Sequence, residues 1–438
     1  MKIDKKTFYA RRKELLEKIG NSVAILFNAS EVTRNRDSHY KFRSDSYFQY
    51  FSGFPEANSI IFMLGGKEQR SIIFCQTKDK DKEIWNGHIY GPELAAKEFM
   101  FDEAYNLDQI NEIATKLIGK FPKIYTVIDN NFSHQSTINA WIDNNKKLKR
   151  SGYKSPEMII DLASIVDPMR CVKSENEIGV MQHAADISSK AHIRAMQYSK
   201  PQLFEYQVEA ELIHEFMING AADPAYLSIV ASGINGCTLH YIDNNSKMKN
   251  GDLLLIDAGC EFDAYASDIT RTFPVNGKFT PVQKDLYQLV LNSQKAAIAK
   301  VKAGNSFLDP HNAALDTLID GFIQLGLCQG TQAEVKENES YKEFFMHRTS
   351  HWLGMDVHDV GDYVDENGKS IILENNNVLT IEPGCYIQPS EKIPKEFWGI
   401  GIRIEDDVRV KANSCEVLSH KAPKEVKEIE SLVGSIYD

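Results

Sequence analysis

The chain has 438 residues and a mass of 49.6 kDa, more than one ordinary hydrophobic core holds, so two domains are expected. Its 42% hydrophobic and 25% charged residues exclude a disordered chain, and no apolar run reaches the roughly 18–20 residues that span a bilayer. The 50 Lys and Arg against 61 Asp and Glu leave a net charge of −11, which argues against a nucleic-acid partner, whose affinity rests on cationic contacts.

The opening MKIDKKTFYARRKELLEKIG alternates charged with apolar residues and lacks the continuous apolar stretch of a secretory signal. Seven cysteines with no C-x-x-C pair suit reduced thiols in a cytoplasmic protein better than a disulfide framework. The first part of the chain reads as α/β: SVAILF (22–27), SIIFML (59–64), RSIIFC (70–75) and IYTVID (124–129) are β-rich runs, and 107–118 has helical spacing. Pro168 is expected to break regular structure before Ser174 and Glu177, a capping-box pair that opens a long helix. The domain boundary is therefore placed near 170, giving domains 1–170 and 171–438.

In the second domain, Ile178, Met181, Ala185, Ala191 and Ala195 share a helix face, and Val208, Leu212 and Phe216 mark a second helix stopped by Gly220. Strand-like runs follow at 227–232, 252–257 and 265–273. Thr280-Pro281 then opens a helix with Gly304 as its terminator, and Asp309-Pro310 opens another. Strands return at 377–384 and 399–410. Two helices and then strands, given twice, suggest an internal duplication.

Four carboxylates occupy places meant for apolar residues. Asp257 ends Leu253-Leu254-Leu255-Ile256, Glu382 ends Val378-Leu379-Thr380-Ile381, Asp268 shares a face with Thr270 and Thr272, and Glu405 follows alternating isoleucines on the face of Arg403. Any one of them could be a solvent-facing strand end or half of a salt bridge. Four in apolar settings require positive charge nearby. His347, His351 and His358 lie within twelve residues in a chain with 12 histidines. Four carboxylates and one imidazole match two divalent cations, and this donor set suits Mn²⁺, Co²⁺ or Zn²⁺ better than Ca²⁺. Metals spaced about 3.5 Å apart can hold a hydroxide and polarise a carbonyl, which is equipment for amide hydrolysis.

The set DAG (257–259), SDITRTF (267–273), MHRTSHWLGMDVHD (346–359), TIEPGCY (380–386) and GIRIEDD (401–407) resembles the metallopeptidases of the pita-bread fold, the branch of aminopeptidase P and prolidase. The likeness to aminopeptidase P extends to 31–54, EIW (83–85), NGCTLHY (235–241) and VNGKFT (275–280). It implies an α/β N-terminal domain of the aminopeptidase P type and an α+β catalytic pita-bread domain with a pseudo-two-fold duplication. It further implies a hydrolase that removes an N-terminal residue preceding proline, acting on Xaa-Pro peptides as a homodimer or homotetramer.

By the same resemblance Asp268, His351, Glu382 and Glu405 bind one metal, Mn²⁺ first among the candidates, and Asp257, Asp268 and Glu405 bind the other. Glu382 shuttles a proton, His240 and His358 hold the substrate and stabilise the tetrahedral intermediate, and His347, Tyr386 and Arg403 line the proline side. Asp37 and Trp85 match positions that approach a neighbouring subunit's cleft; otherwise they are a surface acid and a core tryptophan. Locally, Arg403 could merely pair with Glu405 or Asp407, and Tyr386 could be a core aromatic.

One departure stands out: such peptidases usually carry glycine after the histidine matching His347, where this chain has Arg348. Either that backbone is strained at positive φ, or the guanidinium reaches the cleft rim and alters which peptides enter. Cys237 and Cys385 adjoin the motifs, but burial alone would account for them. The alternatives are a prolidase restricted to Xaa-Pro dipeptides and a non-catalytic peptide-binding member of the fold, which would be expected to have lost metal ligands. No H-E-x-x-H, G-x-S-x-G or Walker A motif occurs.

Overall fold

The computed structural model describes residues 2–67, 69–128 and 132–437. One compact unit comprises Ile3–Met169, and the other begins at Arg170. In the first, a six-stranded sheet runs in the order Glu103–Asn106, Arg70–Cys75, Ile60–Leu64, Val23–Phe27, Lys123–Thr126, Met158–Asp161. Its three central strands are antiparallel and the outer pairings parallel. Val23 to Leu26 and Ile60 to Leu64 are buried without alternation, the pattern of strands covered on both faces. The helical spacing at 107–118 forms a 3₁₀ turn, Leu107–Gln109, and the helix Ile110–Ile118, whose apolar face joins Trp141 in the core. The strand expected at 124–129 ends at Thr126, and Asp129 lies outside the described residues.

Pro168 does not break the chain: Ala163–Cys171 is one helix with the proline inside. The proline withholds one backbone donor, but buried Val166 and Arg170 hold the helix, so tertiary burial overrides local propensity.

In the second unit, helices Glu175–Tyr198 and Glu205–Ile218 precede an antiparallel sheet of Ile229–Ser232, Leu253–Asp257 and Thr270–Pro274. Helices Pro281–Ile298 and Leu308–Gln324 precede a second, of Val378–Ile381, Asp406–Val410 and Cys415–Val417. Ser174–Glu177 and Thr280–Gln283 form reciprocal capping boxes. Gly220 takes φ +86° beyond the second helix, a conformation in which only glycine is free of strain. The third helix ends at Ile298 rather than at Gly304, and the fourth starts one residue ahead of Asp309. No described helix is long and apolar enough to cross a membrane.

Two strands expected to be continuous are interrupted. The run 265–273 divides into Tyr265–Ala266 and Thr270–Pro274, and 399–410 divides into Ile400–Arg403 and Asp406–Val410. At the breaks the backbone turns to other partners: the Asp268 N–H donates to the Asp407 carboxylate at 3.1 Å, and the Glu405 N–H to the Thr270 carbonyl at 3.1 Å. Gly401 is required by packing, since a Cβ there would sit 2.1 Å from the Gly236 carbonyl oxygen.

Candidate metal centre

Strand register sets the site. Asp257 ends its strand opposite Thr270, two residues beyond Asp268. The segment 349–353 lies along Val378–Ile381, with the Thr380 N–H bonded to the His351 carbonyl at 3.0 Å and the Glu382 N–H to the Thr349 carbonyl at 2.8 Å. His351 thereby stands beside Glu382, Nε2 to Oε1 at 3.8 Å. Asp257, Asp268, His351, Glu382 and Glu405 all line one cavity of about 590 Å³, together with His240, His347, Arg348, His358 and Arg403. Ligand atoms of Asp268, His351 and Glu405 lie within 4.8 Å of one another.

The electrostatics of this cavity call for added positive charge. Burial and repulsion from Asp268, Glu382 and Asp257 push Glu405 well above the usual carboxylate range, and burial raises Asp257 despite Arg403. Glu382 is pushed up to about 7, chiefly by burial. Burial acts upward on Asp268 as well, but the hydrogen bond and charge of His351 hold it below its ordinary value. Against burial, the hydrogen bond to Asp268 and the charge of Glu382 raise His351 to about 9, so without a metal its Nε2 carries a proton toward Asp268 Oδ2 at 3.3 Å while Nδ1–H donates to the Trp352 carbonyl at 2.9 Å. In the neutral imidazole that proton is gone and the Nε2 lone pair faces the carboxylate oxygen. Two acceptors face each other unless a proton or a cation lies between them. The donor chemistry therefore fits divalent metal ions, with the carbonyl bond orienting the imidazole.

A second layer fixes these groups. Arg403 donates to Asp257 at 2.6 Å, Tyr386 at 3.0 Å and Thr270 at 3.1 Å. It pairs with Asp257, and neither Glu405 nor Asp407 takes that place. The Tyr386 hydroxyl is buried between Arg403 and His347 Nε2, 2.8 Å away. Burial and the nearby Arg403 charge lower His347 to about 3, keeping it neutral. The rings of His351 and His358 lie 4.3 Å apart, and the loop carrying His358 is tied down by Asp359, which pairs with buried Arg170 at 2.7 Å and Lys173 at 3.1 Å.

Sequence reasoning missed Tyr226, whose hydroxyl lies 2.6 Å from Asp257 and 2.5 Å from Asp268, and Thr270, which donates to Glu405 at 2.6 Å. Thr270 carried a signal, its place two residues after Asp268. Tyr226 carried none, being joined to the site only through sheet register.

Asp37 and Trp85 lie in the other unit, Ile3–Met169, and Asp37 is the exposed surface acid of its alternative reading. Trp85 is not the core residue weighed as its alternative: it is 86% exposed, on a short helix, Lys80–Asn86, that buries no residue. Arg348 is absent from the described residues with positive φ, so the expected strain does not arise. Burial raises Cys237 to about 11 and Cys385 further, and all seven cysteines are free.

Residues 179–412 match metallopeptidase family M24, and residues 8–125 match the aminopeptidase P N-terminal domain. The chain is 39% identical to Xaa-Pro aminopeptidase of Escherichia coli over 434 residues, 98% of each protein. Its fold is similar to the structure of Pseudomonas aeruginosa aminopeptidase PepP, with TM-score 0.97, 43% identity and 98% of each chain covered. It is likewise similar to E. coli aminopeptidase P with the inhibitor Pro-Leu, with TM-score 0.96, 39% identity and coverage of 100% of this chain and 99% of that one. These likenesses carry the pita-bread architecture and metal-dependent peptidase chemistry. With family M24 matching more than half of its length and one relative aligned end to end, the chain belongs to metallopeptidase family M24.

Proposed function

We propose that this peptidase is a Xaa-Pro aminopeptidase, removing an N-terminal residue that precedes proline. The observation that carries the reading is the convergence of Asp257, Asp268, His351, Glu382 and Glu405 on one cavity edged by His240, His347, His358 and Arg403. Asp268, His351, Glu382 and Glu405 would hold one divalent ion, and Asp257, Asp268 and Glu405 the other. Mn²⁺ is the proposed metal, and when bound the pair supplies an activated water and polarises the scissile carbonyl.

Glu382 takes a proton from the attacking water and returns it to the departing proline nitrogen. His240 and His358 donate to the carbonyl oxygen as charge develops on it. His347, Tyr386 and Arg403 form the wall for the pyrrolidine ring, which lacks the amide N–H that other peptidases bind. Residues 1–170 form the N-terminal domain and 171–438 the catalytic one. We also propose a homodimer or homotetramer in the cytoplasm, supported by exposed Ile84 and Trp85, with Asp37 and Trp85 reaching a neighbour's cleft.

The test is hydrolysis of Xaa-Pro-Yaa against Xaa-Pro, with added Mn²⁺ and after chelation. Tripeptide cleavage that chelation abolishes and Mn²⁺ restores is expected. Cleavage of dipeptides alone would indicate a prolidase, and inertness throughout a peptide-binding protein.

A further inference from the structure

The cavity carries a cation that the chemistry above leaves unused. Arg403 is occupied by Asp257, Tyr386 and Thr270. Arg348 lines the same cavity and is exposed, and among the described residues its guanidinium has no ion-pair or hydrogen-bond partner. Its charge is felt at the rim: after burial, it is the main influence lowering His311 to about 4, and it also opposes protonation of Lys342. Lys342 itself is paired with Glu339 at 2.7 Å.

The backbone of Arg348 adjoins the histidine proposed for the proline wall. The His347 Nδ1–H donates to the Arg348 carbonyl at 2.7 Å while Nε2 meets the Tyr386 hydroxyl. Arg348 thus directly follows, in the chain, the wall proposed for the proline ring, and its charge lies near His311 at the rim.

We infer that Arg348 determines specificity by recognising a carboxylate beyond the proline, either the C-terminus of a short peptide or the side chain of an acidic third residue. The inference rests on the aminopeptidase reading. An exposed ion pair favours the charged substrate by roughly two- to fivefold, and salt weakens the preference because the pair is open to solvent.

The test uses the full chain loaded with Mn²⁺, as wild type, Arg348→Gln and Arg348→Glu. kcat/KM is measured for Xaa-Pro-Ala against its C-terminal amide, and for Xaa-Pro-Glu-amide against Xaa-Pro-Gln-amide. The readout is the ratio within each protein, so a general change in turnover cancels. Wild type is expected to favour the carboxylate by roughly two- to fivefold, Arg348→Gln to show no preference, and Arg348→Glu to invert it. Dependence in the first pair identifies short peptides as the source of the carboxylate, and dependence in the second identifies acidic third residues. The same ratios in all three proteins overturn the inference. Binding of Pro-Ala against Pro-Ala-amide, followed by calorimetry, reads the preference without turnover. A chain that cleaves nothing yet keeps an Arg348-dependent binding ratio would fail the aminopeptidase reading alone.

Discussion

Replacing Arg403 by methionine tests how the cavity balances its charge. Arg403 is 4% exposed and its guanidinium bonds Asp257, Tyr386 and Thr270, while Thr270 passes a hydrogen bond on to Glu405. Removing one partner of such a buried pair costs about 3–5 kcal/mol. Asp257 can escape part of that cost by taking a proton, since its carboxyl is already raised by burial. The expected loss of unfolding free energy in chelator at pH 8 is therefore at the lower end, about 3 kcal/mol.

The sign of the pH dependence follows from linkage. In the folded variant Asp257 binds a proton at a higher pH than in the unfolded chain, so lowering the pH favours the folded state and the loss shrinks toward pH 5. It should shrink at pH 8 as well when Mn²⁺ replaces the chelator, because the cations supply the missing charge. Arg403→Lys keeps the charge without the three-way fork. It should recover part of the stability while turnover stays down by about a hundredfold, the order seen when a preorganised donor is lost. Urea unfolding at pH 5, 6.5 and 8 in EDTA or MnCl₂, with kcat/KM alongside, reads these effects. A loss equal in EDTA and Mn²⁺ and indifferent to pH would refute the reasoning.

Asp257→Asn and Glu405→Gln each remove anchoring charge and should lower turnover by several orders of magnitude; near-normal turnover in a variant shown by metal analysis to be fully loaded would defeat the assignment. His192 is buried, its Nε2–H donating to the Ala258 carbonyl at 3.0 Å, and burial lowers it to about 4. The unfolded chain takes up that proton near pH 6.5 and the folded one does not, so relative to His192→Gln the wild type should lose up to about 3 kcal/mol as pH falls from 7 to 4. Parallel pH profiles for the two proteins would exclude this.

The gathering of these acids in one cavity was legible in the sequence because burying a carboxylate among isoleucines and leucines breaks a strong rule, and Asp257, Glu382 and Glu405 each break it. The strand ends were less legible. The alternation through 399–405 implies a buried face and an open one, yet Arg403 and Glu405 are nearly as buried as Ile402 and Ile404, with Asp257 and Thr270 of the other repeat bonded to that second face. Pro168 misled because its cost is local, whereas the burial of Val166 and Arg170 that offsets it is tertiary. Tyr226 could not be found at all, since nothing in its neighbourhood in the chain points to Asp257 or Asp268.

The interruptions in the two sheets explain how the site can exist. A residue within a regular ladder commits its backbone to its neighbours and its side chain to one face of the sheet. Asp268, Glu382 and Glu405 lie just outside the regular strands, yet each keeps its N–H bonded, to the Asp407 carboxylate, the Thr349 carbonyl and the Thr270 carbonyl respectively. The backbone is satisfied while the side chains from both repeats turn into one cavity.

The run Glu405-Asp406-Asp407 shows the same sorting within three consecutive acids. Burial would raise Asp406, but Arg271 at 2.7 Å, Lys424 and Ser419 hold it at about 2. Asp407, raised by burial, accepts the Asp268 N–H and so sets that residue's orientation. Glu405 accepts the Thr270 hydroxyl, and among the described residues no cation forms an ion pair with it, Arg403 acting on it only through space. The fold supplies permanent counter-charge to the acid that needs only to be structural and withholds it from the one facing the cavity, and an open charge of that kind is what a divalent ion requires.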